Sequence, residues 1–101
     1  KRNHEQIKEM AKTNDIMIII GSFTSANSNR LTQLSLDYNA QSYQVTGSED
    51  LKPEWFMDKD SIGISAGAST PDYLIKDVKD NIENIYKEKL WDKEHSKLKL
   101  A

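Results

Sequence analysis

Small hydroxyl and amide side chains gather in two places along the chain, each directly after a run of apolar residues. The run Ile16–Ile20 leads into Gly21–Ser28, and the run Ile62–Ile64 leads into Ser65–Asp72. Serine hydroxyls, asparagine amides and unpaired backbone N–H groups all donate hydrogen bonds, and together they suit an anion such as a phosphate. The donors that we expect to bind it are Ser25, Asn27 and Ser69.

Other kinds of site are less well supported by the sequence. Gly21, Gly63 and Gly67 do not form the Gly-x-Gly-x-x-Gly fingerprint of dinucleotide sites, and no Gly-Lys-Ser/Thr follows a strand. His4 and His95 stand in charged stretches without a partner at ligand spacing, so we expect neither to bind a metal or act as a base. The sequence predicts no catalytic residue and no metal ligand. Ser, Thr and Asn also cap helices and turns, so a purely structural role for the two loops stays open.

Composition limits the class of protein. The 101 residues suffice for one small domain, and the net charge of −2 argues against a general nucleic-acid binder. The longest apolar run has five residues, far short of the about 18–20 that span a membrane. No signal-peptide pattern is visible, so we expect a cytoplasmic protein. The absence of cysteine excludes disulfides, thiolate catalysis and thiolate-held metals within this chain.

Hydrophobic spacing predicts the elements that carry the first loop. Residues 3–12 have the period of an amphipathic helix, and Ile16–Ile20 has the apolar, β-branched composition of a strand buried on both faces. A second helix follows the loop, with Asn27 or Ser28 as its N-cap. The alternation in Ser42–Thr46 predicts a half-exposed strand near an edge of the sheet.

The second half of the chain repeats this arrangement. A short helix is expected near Pro53, with Trp55 and Phe56 as core or interdomain contacts, followed by the strand Ile62–Ile64. Thr70 as cap, proline at the first helical position and Asp72 in the first turn then predict a helix to about residue 90. The order αβαβ(α)βα predicts a small three-layer α/β/α domain with a mainly parallel sheet of three or four strands. We expect residues 1–90 to form this domain and residues 91–101 to be a tail that is not ordered by itself.

Several strings in and around the two loops resemble one enzyme family. Ser25–Leu31, Glu54–Phe56 and Gly63–Asp72 stand at intervals similar to those in the C-terminal domain of the LytB/IspH family, the 4-hydroxy-3-methylbut-2-enyl diphosphate reductases. The resemblance covers about residues 1–90. Its Ser-Asn-Arg-Leu and Ala-Gly-Ala-Ser-Thr-Pro-Asp strings are quite specific.

The resemblance implies an iron–sulfur oxidoreductase of the non-mevalonate isoprenoid pathway. Such an enzyme reductively removes the hydroxyl of an allylic diphosphate and forms isopentenyl and dimethylallyl diphosphate. It has three similar α/β domains, a [4Fe–4S] cluster held by three cysteines, and an electron donor such as ferredoxin or flavodoxin. With no cysteine here, the cluster ligands, the phosphate-binding histidines and the proton-relaying Glu are expected outside this chain. We therefore expect an inactive C-terminal fragment that contacts the remaining domains of the same enzyme.

The family resemblance also implies which residues bind the diphosphate. A Ser-Ser-Asn triplet and the serine of Ala-Gly-Ala-Ser fall on Ser25, Ala26, Asn27 and Ser69. Ala26 departs from the pattern, because a second serine is usual there. A hydrogen bond to a charged group contributes about 1.5–3 kcal/mol, so the missing hydroxyl is expected to weaken binding tenfold or more. Ala26 thus leaves open a non-catalytic phosphate-ligand binding module derived from the same fold, and an unrelated phosphosugar-binding α/β domain is a third interpretation.

Overall fold

Helices and strands alternate along the part of the chain that the computed structural model describes, which is residues 2–57, 59, 61–88 and 97–100. The elements are α1 (Arg2–Thr13), β1 (Ile16–Ile20), α2 (Ala26–Tyr38), β2 (Ser42–Val45), β3 (Ser61–Ala66), α3 (Asp72–Glu88) and β4 (Lys97–Leu100). Two short 3₁₀ helices, Ser48–Asp50 and Pro53–Phe56, lie between β2 and β3. The predicted order of helices and strands is therefore confirmed.

The strands form one parallel sheet in the order β2-β1-β3-β4. Every residue of β1 is buried, as its unbroken apolar composition predicts for a central strand. The alternating strand β2 lies at an edge, also as predicted. Because the strands are parallel, their carboxyl ends all lie at the same end of the sheet. The loops that follow β1, β2 and β3 leave from this carboxyl edge, which is distinct from the outer strands.

Two apolar clusters pack on opposite faces of the sheet, since successive side chains of β1 point to opposite sides. Met17 and Ile19 face α1 and α2, where they contact Ile7, Ala11 and Leu31. The other face is larger and is covered by α3 and the 3₁₀ segment; its buried members are Ile16, Ile18, Ile20, Val45, Phe56, Ile62, Ile64, Val78 and Ile82. The predicted three-layer architecture is thus confirmed, and burial on both sides holds the end of β1 in a fixed position.

The short helix expected near Pro53 forms as the 3₁₀ helix Pro53–Phe56. Phe56 is completely buried in the larger cluster. Trp55 is half-buried and stacks on Tyr43 of β2, with ring centroids 4.1 Å apart and planes 8° from parallel. Both aromatic residues therefore belong to the core, which was one of the two roles expected for them.

Regular structure returns near the C-terminus, where we expected none. Lys97–Leu100 forms β4 and pairs with β3, so that Ile62 lies opposite Leu98 and Ile64 opposite Leu100. The tail was expected not to be ordered by itself, and these four residues form a strand by pairing with β3, whose free edge supplies backbone hydrogen bonds that composition does not reveal. The domain boundary at residue 90 stays a prediction.

The N-termini of α2 and α3, the helices that follow the two polar loops, differ in detail from the sequence prediction. Ser25 is the N-cap of α2, in place of Asn27 or Ser28, so the helix begins two or three residues earlier than predicted. Thr70 does not cap α3: its hydroxyl donates to the Ile20 carbonyl at 3.0 Å. Pro71 directly precedes the first helical residue, and its carbonyl accepts the first bonds of the helix.

Candidate functional site

The loops after β1 and β3 are held side by side at the carboxyl edge of the sheet. The Gly21 N–H donates to the Val45 carbonyl at 2.8 Å, and the Gly67 N–H donates to the Ile20 carbonyl at 3.0 Å. The Thr70 hydroxyl donates to the same Ile20 carbonyl. These bonds fix where each loop departs from its strand, so the polar residues that follow have a defined position.

The N-terminus of α2 presents several hydrogen-bond donors at this edge. The Ser25 hydroxyl oxygen accepts from the Ser28 N–H at 3.3 Å, and the Ser25 carbonyl accepts from the Asn29 N–H at 3.0 Å. In the part of the chain that the structure describes, the hydroxyl hydrogen of Ser25 and the backbone N–H groups of Ala26 and Asn27 have no acceptor. Unpaired N–H groups at a helix N-terminus favour an anion.

Asn27 links the two loops across 41 residues of sequence. Its side-chain Oδ1 accepts from the backbone N–H of Ala68 at 3.1 Å. This bond fixes the amide orientation, because the acceptor atom faces the second loop and the donor Nδ2 lies on the opposite side of the amide group. No described residue accepts a hydrogen bond from that Nδ2, so the side chain keeps two donors for a ligand.

A cleft of about 230 Å³ opens where the strand ends meet. Its lining consists of Gly21 and Ser22 after β1, Thr46 after β2, Ser69–Pro71 after β3, and Leu74 on α3. The exposed Ser69 thus stands in the wall of the cleft, whereas Ser25 and Asn27 lie on the neighbouring helix terminus, joined to the same loop through Ala68. The structure therefore places Ser25, Asn27 and Ser69 next to one another at the carboxyl edge of the sheet.

Ser22, Thr46 and Gln44 are residues of this region that the sequence analysis missed. Ser22 lies within the first donor-rich loop, two residues after β1, so its position was an available signal. Thr46 was assigned to the predicted strand Ser42–Thr46, but β2 ends at Val45 and Thr46 is the first residue after it. Gln44 lies on β2, and its Nε2 donates to the Ser22 carbonyl at 3.1 Å and to Asn29 Oδ1 at 3.0 Å. Its Oε1 accepts from the Thr32 hydroxyl at 2.8 Å, so one side chain ties the first loop to both β2 and α2.

The lining of the cleft is neutral, and two acidic residues, Asp50 and Asp72, adjoin it in the structure or the sequence. The Thr46 hydroxyl and N–H donate to the Asp50 carboxylate at 2.6 and 2.8 Å, and these bonds hold the pKa of Asp50 below its ordinary value. Thr46 is thereby committed to Asp50 and is not a free donor. Asp72 stands in the first turn of α3. Within the cleft lining, attraction for an anion therefore comes from hydrogen-bond donors and helix termini.

Metal ligands do not converge within the described residues: no group of three or more His, Asp or Glu comes together there. His95 lies outside the described residues, as does the side chain of His4, so both expectations stay predictions.

Among the residues that the structure describes, no helix has the length and apolar character needed to cross a membrane.

Similarity to known proteins assigns the chain to a family. The model of the family described as LytB protein matches residues 1–83. The chain belongs to the LytB family. Named LytB relatives include the 4-hydroxy-3-methylbut-2-enyl diphosphate reductases of Aquifex aeolicus, 46% identical over 81 residues, and of Campylobacter jejuni subsp. doylei, 43% identical over 83 residues. These matches cover 80% and 82% of this chain but only 28% and 30% of the two relatives.

Solved structures of LytB proteins agree with the fold. One described as (E)-4-hydroxy-3-methyl-but-2-enyl diphosphate reductase, the terminal enzyme of the non-mevalonate pathway, superposes with a TM-score of 0.80 at 44% identity. It covers 81% of this chain, which matches 29% of that protein. The Plasmodium falciparum reductase superposes over 97% of this chain with a TM-score of 0.75, and at 17% identity it supports the fold alone. The chain thus spans less than a third of the length of the relatives it matches.

Proposed function

We propose that this chain is the diphosphate-binding part of a 4-hydroxy-3-methylbut-2-enyl diphosphate reductase of the non-mevalonate isoprenoid pathway. Its named relatives and the structure that it matches at 44% identity support this assignment. The observation that carries the binding role is the hydrogen bond between Asn27 Oδ1 and the Ala68 N–H, because it joins two donor-rich loops and leaves the Asn27 amide nitrogen for a ligand.

Each proposed site residue contributes a particular donor. Ser25 offers its hydroxyl hydrogen while its oxygen caps α2, and Asn27 offers its amide nitrogen. Ala26 lacks the serine hydroxyl usual in the family and offers only its backbone N–H. Ser69 offers its hydroxyl from the wall of the cleft. An anion held by these groups lies near the N-termini of α2 and α3, where the helix dipoles favour negative charge.

The reductive chemistry belongs to parts of the enzyme outside this chain. We propose that the whole reductase carries a [4Fe–4S] cluster and receives electrons from a carrier such as ferredoxin or flavodoxin. Such clusters are held by cysteine thiolates, and this chain contains no cysteine, so its residues do not fit a cluster. Its own contribution is therefore substrate binding, and we expect no reductase turnover from the chain by itself.

The neutral lining also predicts how tightly the chain binds. Hydrogen bonds from uncharged donors to a phosphate contribute about 1.5–3 kcal/mol each, and part of this is offset by the entropy lost on association. We therefore expect weak binding by the 101-residue chain, with cationic groups elsewhere in the enzyme supplying the remaining affinity.

Amide chemical shifts test this binding role directly. When inorganic diphosphate is titrated into the chain at low salt, the amides of Ser25, Ala26, Asn27 and Ser69 are expected to shift together in a saturable way. The amides of Asn39 and Gln41 serve as an internal control, since they lie at the opposite edge of the sheet. A response confined to residues away from the two loops would overturn the assignment.

Ala26 supports a second proposal, a non-catalytic phosphate-ligand binding module that keeps the LytB fold. The alanine removes one hydroxyl donor that the family usually has at this position. The adjoining sequence distinguishes the two proposals, because the enzyme requires cysteines and histidines outside the chain and the module does not. Reductase turnover by the whole protein with a chemical reductant would exclude the module.

A further inference from the structure

Ser28 has an unusual environment at the start of α2. Its side chain is fully buried, and its hydroxyl has no hydrogen-bond partner among the residues that the structure describes. A Cβ atom added to either Gly21 or Gly67 would collide with the Ser28 hydroxyl oxygen. Neither glycine adopts the left-handed backbone that favours glycine, so what these two positions require is space. The Ser28 side chain thus occupies a notch formed by Gly21 and Gly67.

The notch lies between the two loops of the candidate site. Gly21 begins the loop after β1, and Gly67 begins the loop that contains Ser69. A Cβ atom on Gly67 would also lie 3.4 Å from the Asn27 oxygen that accepts from Ala68. A change in the volume of the notch therefore changes the distance between the loops at the point where Asn27 joins them.

A second serine on the same helix shows how a buried hydroxyl is ordinarily accommodated. Ser35 is also fully buried, but its hydroxyl forms a hydrogen bond of 2.6 Å with the hydroxyl of Ser42. A buried hydroxyl without a partner disfavours folding, whereas a paired one stabilises the protein modestly. The unpaired Ser28 hydroxyl therefore does not stabilise the fold, and its presence at this position needs another explanation.

We propose that Ser28 is a positioning residue of the anion site, whose hydroxyl fills the notch of Gly21 and Gly67 and sets the spacing of the two donor loops. This inference rests on the proposed function, because it assigns Ser28 a role in the same diphosphate site. It does not require contact between Ser28 and the ligand. Its effect on binding is transmitted through Asn27 and the loop that carries Ser69.

The two buried serines provide a matched pair of variants in the 101-residue chain. Ser28→Ala is expected to weaken binding of inorganic diphosphate about tenfold, which is the effect of misplacing one of the donors on Asn27 or Ser69 when the loop spacing changes. It is expected to leave Tm unchanged or higher, because an unpaired buried hydroxyl is removed. Ser35→Ala is expected to lower Tm by about 4–8 °C through loss of its paired hydroxyl, and to leave the affinity within about twofold. A purely structural role for Ser28 would lower Tm without a selective loss of affinity.

Replacement of Gly67 provides an independent test by rescue. Gly67→Ala places a methyl group against the Ser28 oxygen and is expected to reduce both Tm and diphosphate affinity. In Gly67→Ala/Ser28→Ala the new methyl lies 3.5 Å from the Cβ of residue 28, an ordinary contact, so Tm and affinity are expected to recover relative to Gly67→Ala.

The outcomes separate this inference from the proposed function. If the unmodified chain binds diphosphate through Ser25, Asn27 and Ser69 and Ser28→Ala binds it equally well, the positioning role is wrong and the proposed function stands. A Tm loss in Ser28→Ala that matches Ser35→Ala also overturns the inference. If the unmodified chain does not bind diphosphate, the proposed function and the positioning role fail together.

Discussion

Replacing Asn27 with aspartate separates the two roles that the structure gives to this side chain. The carboxylate retains the oxygen that accepts from the Ala68 N–H, so the link between the loops is preserved. The same change removes both N–H donors of the amide and adds a negative charge beside the proposed anion. Stability and binding are therefore expected to change in opposite directions.

The expected gain in stability follows from the position of Asn27 in α2. It is the second residue of the helix, and the first turn contains no acidic residue. A carboxylate at that position contributes about 0.3–1 kcal/mol through the helix dipole, and its bond to Ala68 becomes charge-assisted. We therefore expect Tm of the Asn27→Asp chain to equal or exceed that of the unmodified chain.

The expected loss of binding has two parts. Loss of a donor to a charged ligand costs about 1.5–3 kcal/mol. Repulsion between charges about 4 Å apart adds about 1 kcal/mol at the dielectric constant of water, which is the suitable value because Asn27 is exposed. The sum of about 2.5–4 kcal/mol corresponds to at least about 70-fold weaker binding of diphosphate.

Titration of inorganic diphosphate at low salt, followed by amide chemical shifts, measures the affinity, and thermal unfolding measures Tm. Asn27→Ala is the matched control, since it removes the donors and the acceptor without adding charge. It is expected to bind more tightly than Asn27→Asp and to unfold at a lower temperature. If Asn27→Asp bound diphosphate within a few-fold of the unmodified chain, Asn27 would not be a ligand donor.

Three further outcomes are expected. Gly21→Ala should destabilise the chain by about 1–3 kcal/mol in urea unfolding, and Ser28→Ala should not rescue it, because the new methyl would still lie 2.5 Å from the Cβ of residue 28. Gln44→Leu removes donors to the first loop, so amide hydrogen exchange in residues 22–25 should accelerate while that of β1 stays slow. The pKa of Asp50 is lowered in the folded state by its bonds to Thr46, so its contribution to stability is present above pH 3.8 and is lost as the pH falls through the folded-state pKa. Asp50→Asn should therefore flatten the decline of the urea midpoint as the pH falls below the ordinary pKa of an aspartate.

The elements with the strongest hydrophobic periodicity could be predicted from the sequence. The unbroken apolar run of β1 indicated a strand buried on both faces, and the alternation in β2 indicated a half-exposed strand near an edge. Both could be recognised because the number of buried faces determines which residue types a strand contains. β4 could not be recognised in this way. Its pairing depends on the free edge of β3, which exists only once the sheet has formed.

The site could be predicted less completely than the fold. Ser25, Asn27 and Ser69 could be predicted as neighbours because the loops that follow parallel strands lie at the same end of the sheet. Spacing along the chain did not reveal the bond between Asn27 and Ala68, since it joins residues 41 positions apart. The notch occupied by Ser28 was hidden for a similar reason, because two glycines and a serine are ordinary residues until the fold brings them together.

The notch also limits the order in which substitutions can accumulate during evolution. Alanine at position 67 is blocked while Ser28 keeps its hydroxyl, but the same alanine fits once Ser28 has become alanine. One of the two mutational routes to the double variant therefore avoids a steric collision, with Ser28→Ala and its weaker binding as the intermediate, and the other passes through the collision. Homologous sequences with a larger residue in place of Gly67 should accordingly carry a residue without the hydroxyl at the position of Ser28, so that the two positions covary.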